Sequence, residues 1–267
     1  MAASISHPAP HPSIVYSFST PADVVNPLAS FILKAQKEAV DKKGHFTVAI
    51  SGGSLPKMLK GLVGNPAAKW DKWHVFYADE RVVHLDHADS NHNLCQTELW
   101  SKVPIPAANI HTIDIPEGSD PEKLDIDDLA DAYEKKLIAE FAQRDSARFP
   151  VFDLILLGIG PDGHTCSLFP GHELLSEEAC WVASIGDSPK PPPRRITLTF
   201  PVVNHAARVA FVVTGEAKVD ILSTILDKPE EGLPASRVRP VHPGQVYWFL
   251  DDAASAKVKF GKAEFKL

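Results

Sequence analysis

"DLILLGIGPDGHTCSLFPG", residues 153–171, runs from a nearly unbroken apolar stretch into a loop punctuated by Gly158, Gly160 and Gly163. An apolar run without polar alternation marks a strand covered on both faces, as strands of a parallel sheet are. Residues 152–159 therefore read as a central strand. The three glycines spell G-x-G-x-x-G directly after it, the letters of a dinucleotide-binding turn. Such a turn packs small or apolar residues against the helix it opens, and here Pro161 and Asp162 stand in their place. The acid that would bind a ribose, Asp187, falls in a Pro-rich stretch and not at a strand end. The nucleotide reading fails on both counts. What the loop presents is His164, an imidazole able to take a proton from water near neutral pH, with Asp162 two residues before it.

Working outward, strand-like runs occur at 13–18, 45–50, 73–78, 109–115, 181–185, 195–200, 208–215 and 245–250. Helical spacing occupies 22–42, which opens at Pro21 and sets Leu28, Phe31, Ile32 and Ala35 on one face. Further helices are expected at 55–63, 91–101, 122–144 (the longest candidate) and 216–228. Strands alternating with helices imply βαβ units, so the fold class is α/β: an open, mostly parallel, doubly wound, Rossmann-like sheet flanked by helices. Residues 1–12 are expected to form a flexible N-terminal segment and 13–267 one domain, with the Pro-rich 187–195 a loop inside it.

Ligands of such sheets bind beyond the carboxyl ends of the strands. The polar clusters at 51–54, 79–81, 158–164 and 214–218 all follow strands, so they converge on one site. Ser51-Gly52-Gly53-Ser54 leads from a strand into a helix, a turn whose amides can approach an anion, with Ser54 a candidate N-cap. It is not a P-loop, because G-x-x-x-x-G-K-[ST] is absent. Asp79, Glu80 and Arg81 place two carboxylates and a guanidinium at the sheet edge, Arg81 suiting a bidentate grip on phosphate. Lys218 at a helix start opposes the dipole, which points to an anionic ligand; with Arg81 and Arg195 it can neutralise a phosphate dianion. His84, Asp86, His87 and His92 lack zinc-ligand spacing, so no metal is expected there. Phe169 in "SLFPG" reads as packing that fixes the loop.

The bulk figures narrow the partners. A formal charge of −7 over 267 residues argues against nucleic acid or an anionic membrane. Three scattered cysteines form no disulfide framework, and no apolar run approaches the roughly 18 residues of a membrane helix. The first residues carry neither a basic nor an apolar leader region, so a cytoplasmic protein is expected. A monomer is expected, with a weak homodimer as the alternative.

In combination, "SGGSLPKML" (51–59), "ADERVVHLDHADSN" (78–91), "LLGIGPDGHTCSLFPG" (156–171), "PPPRRITLTFPVVN" (191–204), "VTGEAKVDIL" (213–222) and "YWFLDDAA" (247–254) resemble the 6-phosphogluconolactonase family, in order and over about residues 15–255. The resemblance implies hydrolysis of 6-phospho-D-glucono-1,5-lactone, the second step of the oxidative pentose phosphate pathway, without metal or cofactor. It implies His164 as general base, with Asp162 or Asp79 orienting it, and backbone N–H groups of the glycine turns at the oxyanion. Ser51, Gly52, Gly53, Ser54, Arg81, Arg195 and Lys218 would hold the phosphate and sugar, and Gly158, Gly160 and Gly163 would shape the loop. The wider superfamily includes glucosamine-6-phosphate deaminases, whose Ala-Phe-Asn-Glu-Pro after the histidine is missing; Thr165-Cys166-Ser167-Leu168-Phe169-Pro170 stands instead. A catalytically silent phosphosugar binder is the other alternative. His84 and Cys166 depart from the Pro and Ala usual at those places.

Overall fold

The computed structural model describes residues 11–141 and 149–266. In chain order the elements are β1 (Ile14–Phe18), α1 (Pro21–Lys43), β2 (Phe46–Ile50), α2 (Leu55–Met58), β3 (Trp73–Tyr77), β4 (Asp79–Arg81) and α3 (Asn91–Glu98). They continue as α4 (Ile126–Phe141), β5 (Leu154–Leu157), β6 (Val182–Ile185), β7 (Arg195–Leu198), α5 (Phe200–Val203), β8 (Arg208–Val213), α6 (Val219–Asp227) and β9 (Gln245–Asp251). Six strands form one parallel sheet in the order β1-β9-β8-β5-β2-β3.

The pleat divides the core in two. Phe46, Val48, Ile50, Leu154 and Leu156 face one side, where Val24, Leu28, Phe31, Ile32 and Ala35 of α1 cover them. Ala49, Ile155 and Leu157 face the other, under Leu129, Tyr133 and Leu137 of α4 and Leu222 and Ile225 of α6. Every residue of β2 and β5 is buried, which is why both read as apolar runs. Each fully buried Leu, Ile or Val contributes about 1.5–3 kcal/mol, so these two strands anchor the sheet. Helix α1 starts at a Thr20–Asp23 capping box and ends at Gly44, whose φ of +85° is the left-handed conformation that closes a helix.

From β2 the chain steps outward to β3, then returns to β5 on the other side of β2 and proceeds to β8 and β9. The direction of winding thus reverses between β2 and β5, and a crevice opens at the carboxyl ends of those two strands.

Several elements differ from the sequence expectation. Asp79–Arg81 is not a loop at the edge of the main sheet but β4, paired antiparallel with β7, and β7 with β6, in a separate three-stranded sheet. The expected strand at 109–115 shrinks to one bridge, Val75 to Ile110. Prolines at 104, 106 and 116 bound it, and the carbonyls of His111 and Thr112 are taken by Tyr133 Oη and Lys136 Nζ instead of a ladder. Helix α4 begins at Ile126, not 122, because the Asp125 carboxylate accepts from Asp127 N. It is shorter than α1, and residues 142–144 of the expected helix lie outside the described residues. The helix expected from 216 starts with a 3-10 turn at Glu216–Lys218. Of the expected flexible segment, only residues 11 and 12 are described, and both are exposed. Among the described residues no helix is long and apolar enough to cross a membrane.

Candidate active site

The crevice between β2 and β5 opens into a cleft of about 360 Å³. Into it come the turn after β2, the loop after β5, β4 and β7 of the small sheet, and the 214–218 loop after β8. All of the sequence-predicted site residues line it except Asp162 and Gly163. Ser51 N donates to Leu156 O at 3.0 Å, so the Ser-Gly-Gly-Ser turn lies alongside the glycine loop.

The glycines of that loop do separate things. A Cβ on Gly160 would stand 2.0 Å from His164 Cε1 and Nδ1, so the imidazole rests on the bare glycine backbone. Gly163 has φ +84° and lies against Leu233, while Ala235 N donates to its carbonyl at 3.0 Å. No helix follows the loop as it would in a dinucleotide turn; the next helical turn is the 3-10 segment Glu173–Ser176. Gly160 N donates to His164 O at 2.8 Å and Gly163 N to Gly160 O at 3.1 Å. These two amides are therefore spent within the loop, which removes them from the expected set of oxyanion donors.

His164 Nδ1 lies 2.5 Å from Asp162 Oδ1, a pairing that fixes the ring and makes Nδ1 the protonated nitrogen. Nε2 then carries the lone pair. Burial pulls the imidazole below its ordinary range, against the opposing pull of Asp162 and Asp79. Burial acts to raise the Asp162 carboxyl, but the adjacent imidazole outweighs it and the net direction is down. Phe169 is buried and its ring centroid is 4.5 Å from that of His164, so it packs the loop as expected. Asp79, the other carboxylate considered for orienting the ring, accepts instead from Ser167 Oγ at 2.8 Å and from Asn91 Nδ2 at 3.4 Å.

Three cations share the cleft with His164. Arg81 and Arg195 are directly opposite each other in the β4–β7 ladder, a like-charge pair that costs stability in a sheet. Arg195 donates from Nε to Pro192 O at 2.9 Å and from Nη2 to Lys190 O at 2.8 Å, so the Pro-rich loop aims it. Its guanidinium also lies 5.6 Å from the Phe169 ring centroid. Burial and then the neighbouring Arg81 charge lower its pKa. Burial likewise lowers that of Lys218, whose loop is held by Gly215 N donating to Asp251. Arg81 Nη1 donates to Asp89 O at 2.6 Å, while its buried Nε and the buried Oγ of Ser51 have no protein partner. Buried polar groups are ordinarily paired, so two orphans beside three cations describe a seat for an anion. Ser54 stands at the N-cap of α2 without making the capping hydrogen bond expected of it.

Two features were missed from sequence. Asn91 donates from Nδ2 to Asp79 O at 2.8 Å, and its Oδ1 lies where a Cβ on Gly52 would come within 1.8 Å. Gly52 is thus glycine because Asn91 fills its side-chain space. Glu80 is buried and accepts the backbone N–H groups of Arg81, Asn91 and His92, which ties β4 to the start of α3. Burial pushes its carboxyl up to about 7 against those three hydrogen bonds. Ser90 and Asn91 at the start of α3 were the available signal, since serine and asparagine mark a helix N-terminus. In the first turn of α3, His92 Nδ1 pairs with Tyr77 Oη at 2.8 Å, and in the loop before it His87 Nδ1 accepts from Asp89 N at 3.1 Å. Cys166, where the resemblance leads one to expect alanine, is buried at the cleft with φ +52°, an uncommon conformation for a side-chain-bearing residue.

The fold and the cleft define a doubly wound α/β protein with a polar small-molecule site at its topological switch point. A family model described as glucosamine-6-phosphate isomerases/6-phosphogluconolactonase matches residues 19–248, and the chain belongs to that family. It is 46% identical over 247 residues to a probable 6-phosphogluconolactonase of Schizosaccharomyces pombe, covering 92% of this chain and 96% of that one. To the 6-phosphogluconolactonase of Rattus norvegicus it is 45% identical over 253 residues, 92% and 94% of the two chains. Among solved structures, a 6-phosphogluconolactonase from Trypanosoma cruzi superposes with a TM-score of 0.79 at 29% identity, covering 95% of this chain and 99% of that one.

Proposed function

We propose that this protein hydrolyses 6-phospho-D-glucono-1,5-lactone to 6-phospho-D-gluconate by metal-free general-base activation of water, in the cytoplasm and in the oxidative pentose phosphate pathway. The observation that carries the reading is the Asp162–His164 pair at 2.5 Å, set in one cleft with Arg81, Arg195 and Lys218. The relatives named above support the choice of substrate.

Asp162 holds Nδ1–H, so Nε2 of His164 takes a proton from a water molecule as its oxygen adds to C1 of the lactone. The negative charge that develops on the carbonyl oxygen falls to the amides of the Gly52–Ser54 turn, since those of Gly160 and Gly163 are already bonded. The tetrahedral intermediate collapses with cleavage of the bond from C1 to the ring oxygen, and His164 returns the proton to that oxygen. Arg81, Arg195 and Lys218 hold the 6-phosphate, so binding energy spent on a group other than C1 positions the carbonyl against the base. A δ-lactone is an activated ester, and a positioned base suffices without a covalent nucleophile.

The test is to generate the lactone in situ with glucose-6-phosphate dehydrogenase and follow its disappearance with and without the protein. Acceleration well above the spontaneous rate is expected. A rate equal to the blank would leave a phosphosugar binder in place of an enzyme.

A further inference from the structure

His74 is the second residue of β3, and the cleft lies past the other end of that strand, so its imidazole belongs to the opposite pole of the sheet. His111 reaches the same place from the segment that bridges to Val75, and Glu140 from the last turn of α4. One ligand-capable atom from each of the three lies within 4.8 Å of the other two. The buried Nδ1 of His74 and Nε2 of His111 make no hydrogen bond. His74 Nδ1 is 2.9 Å from Glu140 Oε2, close but without the directionality of a hydrogen bond. His45 Nε2 stands 3.3 Å from the other carboxylate oxygen, Oε1. His111 stacks on Phe76 with centroids 4.3 Å apart, and His45 packs on His74 at 5.3 Å.

Burying Nε2 of His111 with no partner is costly, and Nδ1 of His74 meets only the Glu140 carboxylate. Two imidazoles and a carboxylate are the donor set of a borderline-soft divalent cation. Tetrahedral zinc with bonds of about 2.0–2.1 Å needs ligand atoms about 3.3 Å apart. The His74–Glu140 pair already approaches that spacing, and the widest pair must close by about 1.5 Å, within reach of side-chain rotation. His45 then takes the place of an outer partner that orients the ligating carboxylate.

We propose that His74, His111 and Glu140 form a zinc-class metal site that ties β3, the 109–115 segment and α4 together. The site is structural: it lies at the amino ends of the strands, away from the cleft, and takes no part in lactone hydrolysis. It therefore stands or falls independently of the proposed activity.

The full chain, untagged and stripped by a chelator that is then removed, is titrated with zinc chloride by calorimetry and melted with and without zinc. One equivalent should bind with micromolar or tighter affinity and raise Tm by about 5–10 °C at a hundredfold excess over Kd. His111→Gln and Glu140→Gln should each weaken binding at least about tenfold. Cobalt chloride added to the stripped protein should develop the visible bands of four-coordinate cobalt, a readout that does not depend on any variant folding. Lactone turnover should be the same with and without zinc. Absence of saturable binding, binding unaltered in both variants, or an octahedral cobalt spectrum would each overturn the assignment.

Discussion

Replacing Gly160 by alanine places a methyl group where the His164 imidazole already stands. The added Cβ would lie 2.0 Å from His164 Cε1 and Nδ1 and 2.7 Å from Asp162 Oδ1. Carbon atoms pack at about 3.5 Å, so the ring must withdraw by about 1.5 Å and break its bond to Asp162. A displacement of about 1 Å at a reacting group costs about 10²-fold in rate, so kcat should fall by about 10²–10³. Crowding of this kind destabilises by about 1–3 kcal/mol, or a few degrees in Tm for a chain of this length. Gly160 does not have a positive φ, so backbone strain adds nothing and the whole effect is the contact. The assay is lactone consumption above the spontaneous blank, combined with urea unfolding, for Gly160→Ala, His164→Ala and the double variant. Once the ring is gone the methyl group meets only the Asp162 carboxylate, which has lost its imidazole partner and can turn aside, so the double variant should lose little beyond His164→Ala. A single variant that turns over within about threefold of the unaltered protein, or stability losses that simply add, would refute the reasoning.

His164→Ala should lower kcat by about 10²–10⁴ with little change in product affinity; a rate near that of the unaltered protein would deny it the role of base. Because burial holds this imidazole below its ordinary value of 6.5, it stays neutral at pH 7 and the acid limb of kcat/KM should fall below 6.5. The same group gives stability that is present above the unfolded value of about 6.5 and lost as pH falls through the lower folded value. An acid limb above neutrality would contradict the assignment. Arg195→Ala should weaken 6-phosphogluconate binding by about 10–100-fold, the scale of a charge-assisted hydrogen bond, and unchanged affinity in titration calorimetry would remove it from the phosphate seat. Glu80→Gln keeps one acceptor oxygen and sets its NH2 either against Arg81 N and Asn91 N or against His92 N, and should cost about 1.5–3 kcal/mol in urea unfolding. An unchanged midpoint would show that the carboxylate is not what holds α3 to β4.

The parts of the fold that were legible in the sequence are those where local pattern and burial coincide. β2 and β5 are buried on both faces and read as apolar runs; α1 carries its caps and its apolar stripe in the letters themselves. The small sheet was not legible, because "DER" and "RITL" do not say whether they pair with the main sheet or with each other. That choice is made by contacts far apart in sequence. The site shows the same division. Asp162 and His164 are two residues apart and fall together in any tight turn, so that pair was within reach of the sequence. Asn91 was not, since its importance comes from the space above Gly52, and His74, His111 and Glu140 share no spacing at all.

Arg81 and Arg195 facing each other across the β4–β7 ladder have a consequence for how this protein can be improved or damaged. A sequence selected for sturdiness alone would place a threonine or valine at one of the two positions. Substitutions there should therefore emerge readily from a screen for heat resistance, and they should emerge inactive. An engineer raising the thermal tolerance of this chain has to leave its least comfortable pair of residues untouched, and look for gains in the helices on the far side of the sheet.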